Sequence, residues 1–210
     1  MKVPAVANRS FEELNKKPEF MVIVQFIIDK LSKIPFPIKR AKIIHQTIEE
    51  FNQEVFAHPL VKQFSPCKSG CSACCHTQVS VTRDEAELLV QRIADGVEIN
   101  IDQLILQAKA GDTASEFYKL DYESRGCIFL DEKGLCKVYE DRPSVCRTNA
   151  VLGEADQCKT SDGHQQVRLV KTPQSDMAIY ASFLFAEESG SLPTMVFKVL
   201  DEINNEVKES

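Results

Sequence analysis

Cys67-Lys-Ser-Gly-Cys71-Ser-Ala-Cys74-Cys75 gathers four thiols into nine residues. A single buried cysteine is usually a small inert hydrophobe, but four at this density are not all packing residues. Within the stretch, Cys71-Ser-Ala-Cys74 has the C-x2-C spacing of a chelate. Two intervening residues allow a tight turn whose backbone N–H groups aim at the sulfurs and stabilise their charge. Adjacent Cys74 and Cys75 are expected to point apart, so that one of them serves a second ion, a bridge or a supporting role. His76 directly follows, either as a further ligand or as a hydrogen-bonding neighbour of one. Four more cysteines come later, Cys127, Cys136, Cys146 and Cys158, separated by eight, nine and eleven residues.

Thiols at this density need either disulfides or metal. The chain has 210 residues, long enough to bury roughly 70% of its unfolded surface without staples. Its opening, MKVPAVANRSFEEL, lacks an apolar core of about 7–15 residues, so no secretory leader is expected. The most apolar stretch, Met21 to Ile28, is far shorter than the ~20 residues that span a bilayer. A reducing, cytoplasmic setting is expected, and there thiols stay free. Neighbouring Cys74 and Cys75 would also make a strained disulfide, or crowd several bridges into one loop. Metal is the stronger reading. A net charge of −6 argues against nonspecific nucleic-acid binding and against an anionic membrane surface. A metal ion is therefore the expected partner, and nothing in the sequence specifies a protein partner.

Three metal folds can be tested by spacing. A zinc ribbon needs a second C-x2-C, which the later cysteines do not supply. Bacterial ferredoxin spacing is absent. Cys67-x3-Cys71-x2-Cys74 has the spacing of radical enzymes that use S-adenosylmethionine, but those are built on strand–helix repeats, and this chain shows almost no strands. Eight thiols could fill two four-coordinate sites, or fewer could build a polynuclear cluster.

The rest of the chain reads as helices. Ser10-Phe-Glu-Glu13 has capping-box form, and Pro18 suits the first turn of a helix running to about Ser32. A second long helix is expected from about Pro37 to Ala57, with Ala41, Ile44, Ile48, Phe51 and Val55 as one apolar stripe. These two read as an antiparallel hairpin. Gln78 to Val81 alternates like a short strand, and Thr82-Arg-Asp-Glu85 is another capping box before an Ala86, Leu89, Val90, Ile93 face. A helix follows from Ile101 with Asn100 as its cap. Ile128 to Leu130 and Cys136 to Tyr139 read as a hairpin around Asp131-Glu-Lys-Gly134. Residues 147 to 172 read as irregular, and helices over 173–188 and 193–207 close the chain. Val196, Leu200, Ile203 and Val207 are the expected buried face of the last. His45, His58 and His164 read as ordinary.

At this point the residues resemble a family. Cys67 to Cys75, followed by Val79-Ser-Val-Thr82 and Glu85-Ala86, is similar to the first half of the YkgJ-type cysteine-cluster family. Cys127-Ile-Phe-Leu130, Gly134-Leu-Cys136 and Val138-Tyr-Glu-Asp-Arg142-Pro-x-x-Cys146-Arg147 resemble its second half, and Cys158 stands where relatives often place a last cysteine. Three residues separate Cys67 from Cys71, where many members have two. The resemblance covers about residues 67 to 158 and implies a zinc- or iron-chelating domain. Some longer relatives, the flagellin lysine methylases, use S-adenosylmethionine.

The motif's other residues have a physical reading too. Thiolates around a metal leave a net negative site, which Arg142 and Arg147 would offset, unless they pair with Glu140 or Asp141 instead. Pro143 is placed to start a turn of helix that presents Cys146. Tyr139 and Phe129 are expected to cover the site. Hydrolytic zinc needs an open position and a base, and an all-thiolate set offers neither. No nucleotide or hydrolase motif occurs.

The sequence thus predicts a mainly α protein, with helices around an irregular cysteine-rich metal-binding core and a short β-hairpin. Residues 1–62 form the helical hairpin, 63–160 the core and 161–210 the last helices, within one compact domain. The expected ligands are Cys67, Cys71, Cys74, Cys75, Cys127, Cys136, Cys146 and Cys158. His76, Arg142 and Arg147 are further ligands or supporting residues. The bound species is zinc or iron, with an iron–sulfur cluster included, and the protein reads as a metal binder rather than an enzyme. The alternative is an iron–sulfur-dependent enzyme carrying out methyl transfer from S-adenosylmethionine.

Overall fold

The computed structural model describes residues 3–160 and 168–209. His164 lies outside them. The chain is mainly helical, and the described residues order as follows. Helices α1 (Ala5–Leu14), α2 (Phe20–Ser32), α3 (Pro37–Ala57) and α4 (Pro59–Phe64) come first. After the first cysteines come strand β1 (Ser80–Thr82) and helices α5 (Arg83–Ala94), α6 (Ile101–Lys109) and α7 (Ala114–Phe117). A loop-rich region follows, holding the short helix α8 (Ser144–Thr148) and strands β2 (Val151–Leu152) and β3 (Arg168–Leu169). Helix α9 (Pro173–Phe185), strand β4 (Ser189–Ser191) and helix α10 (Leu192–Glu209) complete the fold.

Two apolar clusters hold these elements together. One gathers Phe20, Val24, Ile27 and Leu31 of α2, Ile44 and Ile48 of α3, and Met177, Ile179 and Phe183 of α9. The other gathers Val81, Leu89 and Val90 around α5, Leu104 of α6, Ile128 and Phe129 of the loop region, and Met195, Val196 and Val199 of α10. Each fully buried side chain of this size contributes roughly 1.5–3 kcal/mol. Strand β1 pairs antiparallel with β4, Val81 opposite Gly190, so the start of α5 meets the start of α10. The polar middle of the chain is thereby walled by helices from both ends of the sequence.

Several local expectations hold. Thr82 Oγ1 accepts from Glu85 N while the Glu85 carboxylate accepts from Thr82 N, a complete capping box. Asn100 caps α6 through Gln103 N. Others are corrected. Ser10 does not cap a helix: it sits inside α1, where its hydroxyl donates back to the Val6 carbonyl, and Pro4 holds the N-cap position. Helix α2 starts at Phe20, two residues after Pro18. Helix α9 packs against both α2 and α3 and is the main partner of α2. The hairpin over 128–139 shrinks to one bridge, Leu130 with Cys136, because Asp131 folds the segment into a turn. On α10, Val196 is buried but Ile203 is exposed.

Candidate metal centre

The Cys67–Cys75 stretch is a run of turns. Cys71 N donates to Lys68 O with Gly70 at φ +85°, and Cys75 N donates to Ser72 O. Ala73–His76 forms one 3₁₀ turn, closed by Thr77, whose N–H and hydroxyl both donate to Cys74 O. Cys127 N donates to Cys75 O at 2.9 Å. The turn also packs against the 3₁₀ turn Ala155–Cys158. The two halves of the cysteine pattern therefore meet at Cys74–Cys75.

Each later thiol is held by its own local device. Asp131 Oδ1 accepts from Lys133 N and Leu135 N, and Lys137 N donates to Phe129 O, which sets Cys127 and Cys136 side by side. Gly134 adopts φ +76°, and a Cβ there would stand 3.2 Å from Ser72 Oγ, so the second half closes directly on the first. Cys146 sits on α8, with its N–H bonded to Pro143 O as the sequence predicts. Cys158 is buried at the end of its turn, and Cys67 is exposed.

Electrostatics reports how close the sulfurs are. Cys74 is held below the ordinary thiol range and Cys75 is driven far above it, each chiefly through the other, with burial adding to the rise of Cys75. The Asn149 amide also donates to Cys74. Burial pushes Cys127 up to about 12, with Cys136 and Cys74 adding to the shift. Cys146 is raised well above the ordinary value by burial and by Cys127, Cys74 and Cys136. Cys158 rises to about 11 through burial and through Cys74, Cys67 and Cys71. Opposing these shifts, the amides of Ala73, Phe129 and Val138 donate to Cys71, Cys127 and Cys136, each from two residues further on. Such amides stabilise thiolates.

The arginines divide their roles. The Arg142 charge lowers Cys74, Cys136 and Cys146, and Arg147 lowers Cys136. Neither pairs with the carboxylates of Glu140 or Asp141. Arg147 donates to Glu49 of α3 and to the Arg142 and Glu140 carbonyls, while Asp141 is taken by Arg92. Arg142 lies over Tyr139, 4.0 Å from the ring centroid. Tyr139 is exposed rather than covering the thiols, and Phe129 alone of the two is buried. His76 stacks flat on Tyr122, centroids 4.2 Å apart, with Nδ1 at 3.3 Å from Ser72 O. Burial lowers its pKa. Arg125, buried beside Tyr122, donates to Thr160 O and so ties the Cys158 segment to that stack.

The sequence reading did not anticipate the support behind α8. His45 is buried and its Nε2 bonds Glu85 Oε1 at 3.1 Å. The same oxygen accepts Ser144 N, in the first turn of α8. Asn52 donates to Arg147 O and accepts from Ser175 of α9. Asn149, Asn52 and His45 carry no local spacing signal; only the capping-box form marked Glu85.

Among the described residues, no three Cys, His, Asp or Glu side chains stand close enough to grip an ion. The donor chemistry nevertheless fits a thiophilic metal. Neighbouring thiols raise one another, and amides and guanidinium groups offset thiolate charge at the same sulfurs. Comparison with known proteins gives one match: residues 66–168 fit the family model CxxCxxCC, described as "Putative zinc- or iron-chelating domain". No curated protein and no solved structure matches the chain.

Proposed function

Residues 66–168 of this chain match the CxxCxxCC family model, and from that premise we propose that it is a metal-binding protein whose thiols hold zinc or iron as a closed, fold-organising centre. The candidate ligands are Cys67, Cys71, Cys74, Cys75, Cys127, Cys136, Cys146 and Cys158. The observation that carries the reading is that the two halves of the cysteine pattern meet at Cys74–Cys75, where Cys127 N donates to Cys75 O at 2.9 Å. A bound ion replaces protons on such sulfurs and relieves their mutual repulsion, which couples binding to folding.

The remaining residues do supporting work. The amides of Ala73, Phe129 and Val138 and the Asn149 side chain donate to sulfur. Arg142 supplies compensating charge, and Arg147 fixes the Arg142 carbonyl and braces α8 against α3. A reducing compartment such as the cytoplasm suits this donor set. Among the described residues no helix is long and apolar enough to cross a membrane.

The test is purification of the full chain without oxygen, followed by metal analysis and a visible spectrum. Stoichiometric metal without inorganic sulfide and without cluster absorption is the expected result. Iron with equimolar sulfide and visible absorption would replace the closed thiolate centre with an iron–sulfur cluster, the cofactor that the enzyme alternative requires. Absence of stoichiometric metal would remove both.

A further inference from the structure

One set of contacts spans the cysteine region without using a sulfur. The His76 ring lies flat on Tyr122, with centroids 4.2 Å apart and planes 9° from parallel. Arg125 stands over Tyr122 at 5.4 Å and over Tyr118 at 4.9 Å, and its Nη1 donates to Thr160 O at 2.9 Å. These side chains draw on three cysteine-bearing segments. His76 follows Cys75, Tyr122 and Arg125 precede Cys127, and Thr160 follows Cys158. Helix α6 backs the middle segment, where Gln103 and Gln107 both donate to Gly126 O, at 2.6 and 2.7 Å.

Both nitrogens of His76 face protein. The Ser72 carbonyl can only accept, so Nδ1, 3.3 Å from it, carries the proton. Nε2 lies at Gly126, where a Cβ would stand 3.5 Å from it and 3.2 Å from Gln103 Nε2. Protein thus crowds the one nitrogen left to ligate. We propose that His76, Tyr122 and Arg125 form a clasp that holds the three cysteine-bearing segments together by stacking, with His76 a positioning residue and not a ligand. The clasp stands apart from the metal-binding reading; only the exclusion of His76 from the ligand set rests on it.

Ring stacks and a guanidinium over a ring contribute beyond the area they bury, and neither needs an ion. Without them the turn would keep the Cys127 N to Cys75 O bond and its packing on Ala155–Cys158. The clasp needs a flat ring where His76 stands, whereas ligation needs its nitrogen. Phenylalanine supplies the first without the second.

The full chain, reduced and stripped of metal without oxygen, is pulsed with iodoacetamide, and each cysteine's modification is read by peptide mass spectrometry. Circular dichroism on heating checks that each variant folds. His76→Phe is expected to label as wild type does. His76→Ala and Tyr122→Ala should label about tenfold faster at Cys75, Cys127 and Cys158, because losing the stack opens these segments locally. The exposed Cys67 should label alike in all. Unchanged labelling in both alanine variants overturns the clasp. So does a metal-free wild type in which every cysteine labels as fast as Cys67. If His76→Ala does not fold, wild-type labelling in His76→Phe upholds the clasp and faster labelling overturns it. After Zn²⁺ is restored, native mass spectrometry should count as many ions on His76→Phe as on wild type. Fewer ions overturn the exclusion of His76 from the ligand set. A wild type that takes up no zinc overturns the metal-binding reading and leaves the clasp to its labelling result.

Discussion

Glu85 Oε1 accepts the backbone N–H of Ser144 at 2.7 Å, tying the first turn of α5 to the first turn of α8 across 59 residues of chain. His45 of α3 bonds the same oxygen, and Thr82 bonds the other. Burial alone would raise this carboxyl, but His45 and the Ser144 and Thr82 amides outweigh it and hold the pKa at about 2. Because the folded value lies below the ordinary carboxyl range, the stabilisation is present above about pH 4.5 and is lost as pH falls toward 2. Such a shift corresponds to roughly 3 kcal/mol. Urea unfolding at pH 6 and pH 3 should show wild type losing markedly more stability than Glu85→Gln on acidification. Equal losses in both proteins would contradict the assignment.

Asp176, in the first turn of α9, behaves in the opposite sense. Burial raises its pKa to about 6, against the opposing pull of Arg9. A folded value above the unfolded one means that stability declines as pH rises from about 4 to 6. Asp176→Asn should therefore raise stability at pH 7 by up to about 3 kcal/mol and leave it unchanged near pH 3. Thermal melts at the two pH values decide it.

Arg147 places all three guanidinium nitrogens, with bonds to Glu49 and to the Arg142 and Glu140 carbonyls. A lysine ammonium cannot reproduce that fork. Arg147→Lys is expected to cost about 2 kcal/mol in denaturant unfolding, and Glu49→Gln less, because Glu49 is half exposed. A lysine variant as stable as wild type would show that charge alone suffices.

Gly134→Ala forces a left-handed residue to carry a Cβ against Ser72 Oγ. The backbone strain alone costs roughly 1–2 kcal/mol. Gly134→Ala/Ser72→Gly should recover only the steric part, since φ stays at +76°. Unfolding midpoints of the single and double variants measure the split.

Cys146→Ser removes a thiol from the buried side of the cluster, and its expected consequence is loss of bound metal together with a fall in melting temperature on the order of 10 °C. Stripping metal from wild type with a chelator should lower the melting temperature in the same direction. Unchanged metal content and melting temperature in Cys146→Ser would separate this thiol from the centre.

The parts of this fold that were legible from sequence are those whose partners lie within a turn of each other. Thr82 and Glu85 cap one another three residues apart, and Pro143 and Cys146 close one turn of α8. The same spacing misled at Ser10-Phe-Glu-Glu13, because a hydroxyl inside a helix can bond the carbonyl four residues back just as well. What could not be read was long-range. Helix α9 is apolar on nearly every face, so its sequence shows no stripe to reveal that it packs against both α2 and α3. Nor did anything near His45 announce a carboxylate 40 residues away. The cysteines themselves were plain in the sequence; their grouping about Cys74–Cys75 required the turn geometry.

Both apolar clusters draw on α9 or α10, and both helices follow Cys158 in the chain. During synthesis all eight thiols are therefore made before the last helix of either cluster. At about 5–20 residues per second, the interval from Cys158 to the end of α10 is roughly 3–10 s. For that interval the nascent chain is a string of accessible sulfurs, open to oxidants and to whichever soft metal is most abundant. If the thiols hold metal, the order of the elements exposes them to ions before the fold closes.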